Sequence, residues 1–514
     1  MRLDFSKSSF STSDLLNILP LTGWLYLIFL LLGFLLIQKF TDLRESYFFS
    51  LLFISVVTAL FPLVQFPSIN HWNSFNHSAG AKYIVNRGHL PSDSTYPAMY
   101  PGAFILLAVL SEVLGTSILE ANLSLALLLN IFVSIVLLLM GQLLIGRRKA
   151  WLVPMSYFAF SFKYYLNNHY SPHLLGLCIF FVIIYIVFKI FYIKSWNLKI
   201  MLFVLLFSLT MTHVFSTFFA FAILITIYFI GTQSFLRKHF KYKHFLTKYF
   251  ILFLVILFLG WHMYVSYEPL KVTIKSIFKT NRLIYVPSVL YNPIHGSLIP
   301  ILQVLRYLTY GILFSLSAYC LIKQWKKIEV KLTFIIALGI LFGSFAILFS
   351  PATYGFERFL FYAGCMVAIL SSYVFIVPTI GRTKKLINYI QPIIPILVIS
   401  TFIISNLYGS TYLYYMHPDE INATIFVANT ASNKTVSVII DESVLIKYFD
   451  LDNKLQIISV DDRDPYDVAI AKFAQTDLSL QYLPRQSFYY NCGFIENQRN
   501  LIYSNGLTQI NALY

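Results

Sequence analysis

Residues 71–115 read HWNSFNHSAGAKYIVNRGHLPSDSTYPAMYPGAFILLAVLSEVLG, and the way this stretch meets a bilayer decides how the rest of the chain is threaded. Its apolar part, Gly102–Leu114, follows Pro101 and carries Glu112. A helix that crosses the hydrocarbon core needs about 20 apolar residues. A short, acid-bearing, proline-preceded helix suits the interface or a re-entrant position instead. Residues 66–119 are therefore placed wholly on one side, as one outer loop. The alternative is that 102–118 spans and 199–231 forms one long helix. Upstream of the short helix, Asn73 is a candidate cap for a polar helix that stops at Gly88. Asn73 and His77 then lie one turn apart on one face.

The chain around this loop is a membrane protein by composition. Of 514 residues 58% are hydrophobic and 12% charged, where a soluble domain carries about 25% charged residues. Candidate spans fall near 19–38, 47–65, 120–145, 150–166, 173–193, 199–212, 213–231, 249–268, 298–322, 332–350, 356–379 and 388–408. The fold class is thus an α-helical polytopic membrane protein of about 11–13 transmembrane helices. Lys and Arg in short loops mark the cytoplasmic side. With the tail outside, five basic clusters fall inside together, Arg147–Lys149, Lys194/Lys199, Arg237–Lys248, Lys323–Lys331 and Arg382–Lys385, and Lys39 and Arg44 join them when Gly102–Leu114 does not cross.

Residues 409–514 hold 12 of the 22 acids but 7 of the 38 lysines and arginines, so this tail is net −5 and residues 1–408 are net +21. The shift marks a boundary near Tyr408. It separates a transmembrane domain, 1–408, from a small soluble extracytoplasmic α/β domain, 409–514. In the tail, β-branched runs at 435–440 and 455–460 read as strands, and Asn505-Gly506 between apolar segments reads as a hairpin. The positive charge of the larger part lies in loops between spans, which fits topology and excludes nucleic acid as a partner. Four cysteines make no disulfide framework.

The chemical interest gathers on the outer side. Besides the loop, an outer turn reads NNHYSPH at 167–173, with His169 and His173 four residues apart. The apolar run 199–231 is too long for one span and short for two, so it breaks near His213, where freed backbone groups can face a cavity. Glu268–Arg282 reads as an amphipathic surface helix whose Lys271, Lys275 and Lys279 form a cationic stripe. Tyr354-Gly-Phe-Glu-Arg358 opens a span. Arg358 is suited to bidentate phosphate binding, or to a structural pair with Glu357.

An outer loop after an early span, a polar helix, then HLP at 89–91 and YPAMYPGAFILLAVLSEVLG at 96–115 resembles the GT-C fold of polyprenyl-phosphate-dependent glycosyltransferases. The resemblance is to archaeal and bacterial members related to protein mannosyltransferases and aminoarabinose transferases, and it covers about residues 45–380. It implies an inverting sugar transfer, from a polyprenyl- or dolichyl-phosphate-linked donor in the outer leaflet to a glycan, lipid or protein acceptor. In that family an acidic residue of the first outer loop acts as base or binds metal, and basic residues hold the departing phosphate. Here Asn73 occupies the acidic position, and an amide takes no proton. His77 or His173 is then a candidate base, since imidazole titrates near neutrality. Asp93, Glu112, Glu268 or Glu357 are the carboxylate candidates, and a non-catalytic relative is the third reading. The implied assignment is His77, Asp93 and His173 as catalytic groups and Asn73, His213, Lys271, Lys275 and Arg358 as substrate-binding groups, with His173 and His213 on the cavity wall. A divalent cation is the one cofactor considered. A lipid-linked saccharide transporter would need an inverted repeat with paired broken helices, whereas one break is visible. An envelope scaffold is the other rival.

Overall fold

The computed structural model of the full chain describes residues 72–91, 96–147, 149–160, 170–193, 195–232, 248–267, 299–348, 355–376 and five strands of the tail. The spans expected at 19–38, 47–65 and 388–408 and the surface helix at 268–282 lie outside these residues. The helices are α1 Trp72–Arg87, α2 Tyr96–Met99, α3 Pro101–Leu114, α4 Ile118–Leu144, α5 Leu152–Phe160 and α6 Pro172–Tyr192. They continue as α7 Trp196–Thr210, α8 Val214–Thr232, α9 Lys248–Tyr264, α10 Ile299–Gln324, α11 Ile328–Leu348 and α12 Gly355–Tyr373. This is a helical membrane protein. Among the described residues, α4 and α6 are each long and apolar enough to cross a bilayer.

Helix α3 has 14 residues, about 21 Å of rise, which falls short of the roughly 30 Å core. It ends at Gly115, whose φ of +60° is the left-handed value that glycine adopts without penalty. Ser117 then starts α4 with a capping box: its side chain accepts from Glu120 N–H, and the Glu120 carboxylate accepts from Ser117 N–H. The chain therefore turns sharply from a helix too short to cross a bilayer into one long and apolar enough to do so. The run 199–231 is divided, as its length requires, into α7 and α8 with Met211–His213 between them. The alternative of one long helix there is excluded.

The helices run back and forth between two ends. At one end the Lys149 ammonium donates to Phe375 O at 2.6 Å, after α12, and Tyr192, closing α6, meets Glu329 at the start of α11. The basic clusters in the loops after α4, α6 and α10 share this basic end. The opposite end carries the α3–α4 turn, Tyr170, the α7–α8 break and the close of α9. Between the ends, α8 and α11 pack through glycine. A Cβ on Gly339 would lie 2.6 Å from Ile223 Cα, and one on Gly343 would lie 2.8 Å from the Phe219 ring. Two small positions one turn apart let the backbones approach closely, the usual device for helix association in lipid. Cys178, Cys320 and Cys365 are buried and free.

Two sequence expectations shift. Trp72 is already helical, so Asn73 lies inside the first turn of α1 and does not cap it. The other end is as expected: Gly88, at φ +71°, donates its N–H to Ile84 O. In the tail, strands β1 Thr435–Val438, β2 Gln456–Ser459, β3 Val468–Lys472, β4 Asn500–Ser504 and β5 Thr508–Ala512 form one sheet of order β2-β1-β3-β5-β4. The β1 pairings are parallel. β4 and β5 pair antiparallel around Asn505-Gly506, with a register shift at Leu501/Tyr503.

Candidate functional site

The end opposite the basic clusters is built around two buried polar hubs. The first is Asn122, one turn into α4 and fully buried. Its Oδ1 accepts from Tyr170 N–H at 2.9 Å. Its Nδ2 donates to Tyr170 O and to Ser78 Oγ, each at 3.3 Å. The Tyr170 hydroxyl then donates to Ala103 O at 2.7 Å. One amide so ties α1, α3, α4 and the turn before α6 together. A buried amide must be satisfied by such partners, and here they are the backbone and side chains of the outer-loop elements themselves.

The second hub is the break. Thr210, Thr212 and Thr217 return their hydroxyls to carbonyls of the preceding turns, Thr210 to Leu206 O, Thr212 to Ser208 O and Thr217 to Leu209 O and His213 O. Of these, Ser208 O is a carbonyl that the interruption of the helix would otherwise strand. Met211 O accepts from Gly102 N–H of α3 at 3.1 Å. A Cβ on Gly102 would stand 3.0 Å from Thr212 Oγ1 and 3.2 Å from Met211 O, so glycine permits this close approach.

His213 closes the break. Its Nδ1 accepts from Ser216 N–H at 3.2 Å and lies 2.8 Å from Ser216 Oγ. Ser216 Oγ is 2.6 Å from the Tyr362 hydroxyl on α12. The His173 ring stands edge-on to His213 at 5.0 Å between centroids, and it also meets Phe361 and Tyr362. Both histidines are buried. Gly176, one turn into α6, makes the approach possible: a Cβ there would fall 2.6 Å from Ser216 Oγ and 2.7 Å from His213 Cβ.

A third group joins the close of α9 to the loop. Trp261 Nε1 donates to Met99 O at 3.2 Å, and the Tyr100 hydroxyl lies 3.5 Å from His262 Nδ1. Burial pushes the Tyr100 hydroxyl up to about 12, against a smaller opposing effect of its hydrogen bond with Ser266. Tyr100 is thus a neutral hydroxyl throughout the physiological range.

Of the residues singled out in the sequence, His173 and His213 are brought into contact. His77 is half-buried on α1, its ring tilted 6.1 Å from Phe104. Arg358 lies in the first turn of α12, one turn before Tyr362. Asp93, Lys271 and Lys275 lie outside the described residues, as do the side chain of Asn73 and that of Arg358. Ser171 is extended and caps α6, accepting from Leu174 N–H. His169 and His173 are therefore not an i, i+4 pair on one helix. Glu112 also drops from the carboxylate candidates: it is exposed near the far end of α3, about 15 Å along the axis from Gly102. Among the described residues no group of three or more metal-ligating side chains is assembled.

The sequence reading missed Asn122, Tyr170, Ser216 and Tyr362. Two of them left a signal. An asparagine in an apolar span needs a partner, and Ser216 stands three residues after His213, at cap-to-N3 spacing.

The fold of the chain is similar to that of solved structures. ArnT from Cupriavidus metallidurans, solved bound to undecaprenyl phosphate, matches 96% of this chain and 98% of its own at a TM-score of 0.54 and 10% identity. The fold is GT-C-like. The archaeal oligosaccharyltransferase AglB from Archaeoglobus fulgidus, solved with an inhibitory peptide and a dolichol-phosphate, matches 90% of this GT-C-like chain and 74% of its own, at a TM-score of 0.52 and 10% identity. Both are polyprenyl-phosphate-dependent glycosyltransferases. No protein-family model matches the sequence, and none of the curated proteins does.

Proposed function

We propose that this protein is a membrane glycosyltransferase that moves a sugar from a polyprenyl- or dolichyl-phosphate-linked donor to an acceptor on the extracytoplasmic face. The observation that carries the reading is the GT-C-like fold over nearly the whole length of both this chain and ArnT. The separation of the ends supports its sidedness, since the basic end is cytoplasmic by the loop-charge rule. Residues 409–514 are then an extracytoplasmic domain following the last span.

In this reading the first outer loop receives the acceptor. His77, on the half-buried face of α1, and Asp93 are the groups assigned to its proton, with Asn73 one turn away orienting the hydroxyl. His173 is too enclosed by Phe361, Tyr362 and His213 to be the first group an acceptor meets, so it serves with His213 as wall. Arg358, Lys271 and Lys275 are assigned to the donor phosphate, whose charge grows as the glycosidic bond breaks. A divalent cation would require ligands from the loop segments, with Asp93 a candidate.

The test is release of lipid phosphate from a panel of polyprenyl-phosphate-linked hexoses and pentoses by the full-length protein in nanodiscs. H77A, D93N and R358A are measured singly beside the wild type. Turnover by the wild type and its loss in at least one variant is expected. Failure to bind undecaprenyl phosphate or to consume any donor would remove the enzymatic reading and favour the scaffold.

A further inference from the structure

We propose that the α10–α11 turn, together with the α6–α7 turn, binds anionic phospholipid headgroups in the leaflet at the basic end of the bundle. That leaflet is the cytoplasmic one under the sidedness proposed for the transferase, while the binding itself needs neither the sidedness nor the transferase reading.

Residues 322–331 read IKQWKKIEVK, four lysines against one acid. Packing accounts for part of this charge. Lys331 is buried on α11, and at the same end Lys149 is spent on Phe375 O. Glu329 is engaged by Tyr192 from the close of α6, with Tyr373 beside it. Lys323, Lys326 and Lys327 are left over. All three are exposed, and among the described residues none of them is paired with an acid.

Their positions differ in cost. Lys323 lies in the last turn of α10, where the carbonyl end of the helix dipole favours a cation. Lys326 and Lys327 stand directly before Ile328, the first residue of α11, where the dipole is positive and opposes them. The turn holds them there, since Lys327 N–H donates to Gln324 O at 2.9 Å. Three cations without an anion, two of them set against a dipole, require a negative partner from outside the chain. A role in membrane insertion explains the number of lysines, but it does not require them to stay unpaired in the finished fold.

The apolar residues among them identify that partner. Ile322 is 77% exposed and Trp325 40% exposed, and the Trp325 ring is braced edge-on against Phe334 at 5.3 Å. The α6–α7 turn repeats the pattern: Trp196 is 71% exposed, and Lys199 lies 5.5 Å over its ring. The contact of Tyr192 with Glu329 joins the two turns. Tryptophan beside lysine at the ends of apolar helices suits a membrane interface, with the ring at headgroup depth and the ammonium at the phosphates. A free phosphate would have no use for the exposed isoleucine and indoles. A phospholipid uses both, with its phosphate on the lysines and its acyl chains along Ile322.

The test uses the full-length protein in neutral detergent, titrated with phosphatidylglycerol or phosphatidylcholine. The melting midpoint reports binding, and native mass spectrometry counts the lipids retained. Phosphatidylglycerol should raise the midpoint and phosphatidylcholine should not. K323Q/K326Q/K327Q should melt like the wild type without lipid and bind phosphatidylglycerol about a hundredfold more weakly, about fivefold for each charge removed. K323R/K326R/K327R keeps the charge and should keep the binding. High salt should weaken binding to the wild type more than to the glutamine variant. Should the triple variant melt low, K326Q and K327Q measured singly decide, each expected to lose about fivefold. Equal stabilisation by both lipids overturns the proposal, as does undiminished phosphatidylglycerol binding in the glutamine variants. Glycerol phosphate giving the same shift at the same concentration also overturns it, because the ligand would then be a free phosphate. Binding of phosphatidylglycerol by a protein that consumes no lipid-linked donor would leave this surface standing and remove the transferase reading alone.

Discussion

Replacing Gly176 by alanine tests the central packing claim with the smallest possible change. A Cβ at 176 would lie 2.7 Å from His213 Cβ and 2.6 Å from Ser216 Oγ. The serine oxygen can rotate away, but doing so breaks its bonds to His213 Nδ1 and Tyr362, at roughly 1 kcal/mol each. The His213 Cβ cannot rotate away, because it is fixed to the backbone of the break. Relief then requires α6 and the break to separate by about 0.7 Å to regain ordinary contact, the kind of overpacking that costs typically 1–3 kcal/mol. G176A should therefore lower stability by about 3–5 kcal/mol in all. The measure is the unfolding midpoint of the purified protein in detergent, together with lipid-phosphate binding at a temperature where the variant is folded. Binding should weaken along with stability, since the strain falls on the His173–His213 contact. A variant that melts and binds like the wild type would mean that α6 and the break are not packed as described.

Other substitutions probe the remaining joints. N122D keeps shape but removes both donors and places a carboxylate against Tyr170 O; it should cost about 2–3 kcal/mol, read from the same melting measurement, and equality with the wild type would dissolve the first hub. G102A meets Thr212 Oγ1 and Met211 O at 3.0–3.2 Å and should cost less than G176A, about 1 kcal/mol, with the Thr212 hydroxyl giving way. For sidedness, single cysteines at the exposed Asn76 and Arg147, in a background with Cys492 replaced by serine, should label from opposite sides of sealed cells. Labelling of both from the same side would reject the threading. R358A should reduce transfer more than it reduces stability, with kcat or donor KM as the readout.

Much of the threading is legible in local pattern. The non-spanning helix follows from the shortness of Gly102–Leu114, and the break follows from an apolar run whose length suits neither one span nor two. The grouping of the basic loops follows from charge. The polar interior of the site does not. Asn122 meets Tyr170 across 48 residues and Ser216 meets Tyr362 across 146, and no periodicity within a segment encodes such a pairing. The Asn73 cap was misplaced for a local reason: Trp72 is already helical, and cap chemistry alone does not fix which residue starts a turn. The four-residue spacing of His169 and His173 does not place them on one helix, because Ser171, a good cap, starts α6 between them.

The hydrogen bond from Gly102 to Met211 bears on how this protein can be rebuilt. The first loop is keyed at its middle to a carbonyl in another part of the sequence, and two of its own carbonyls, Met99 O and Ala103 O, accept from Trp261 and Tyr170. A graft that moves residues 66–119 into a relative would leave the Met211 carbonyl bare and the donor glycine facing a stranger. Exchange of the loop should succeed when the 196–232 hairpin travels with it.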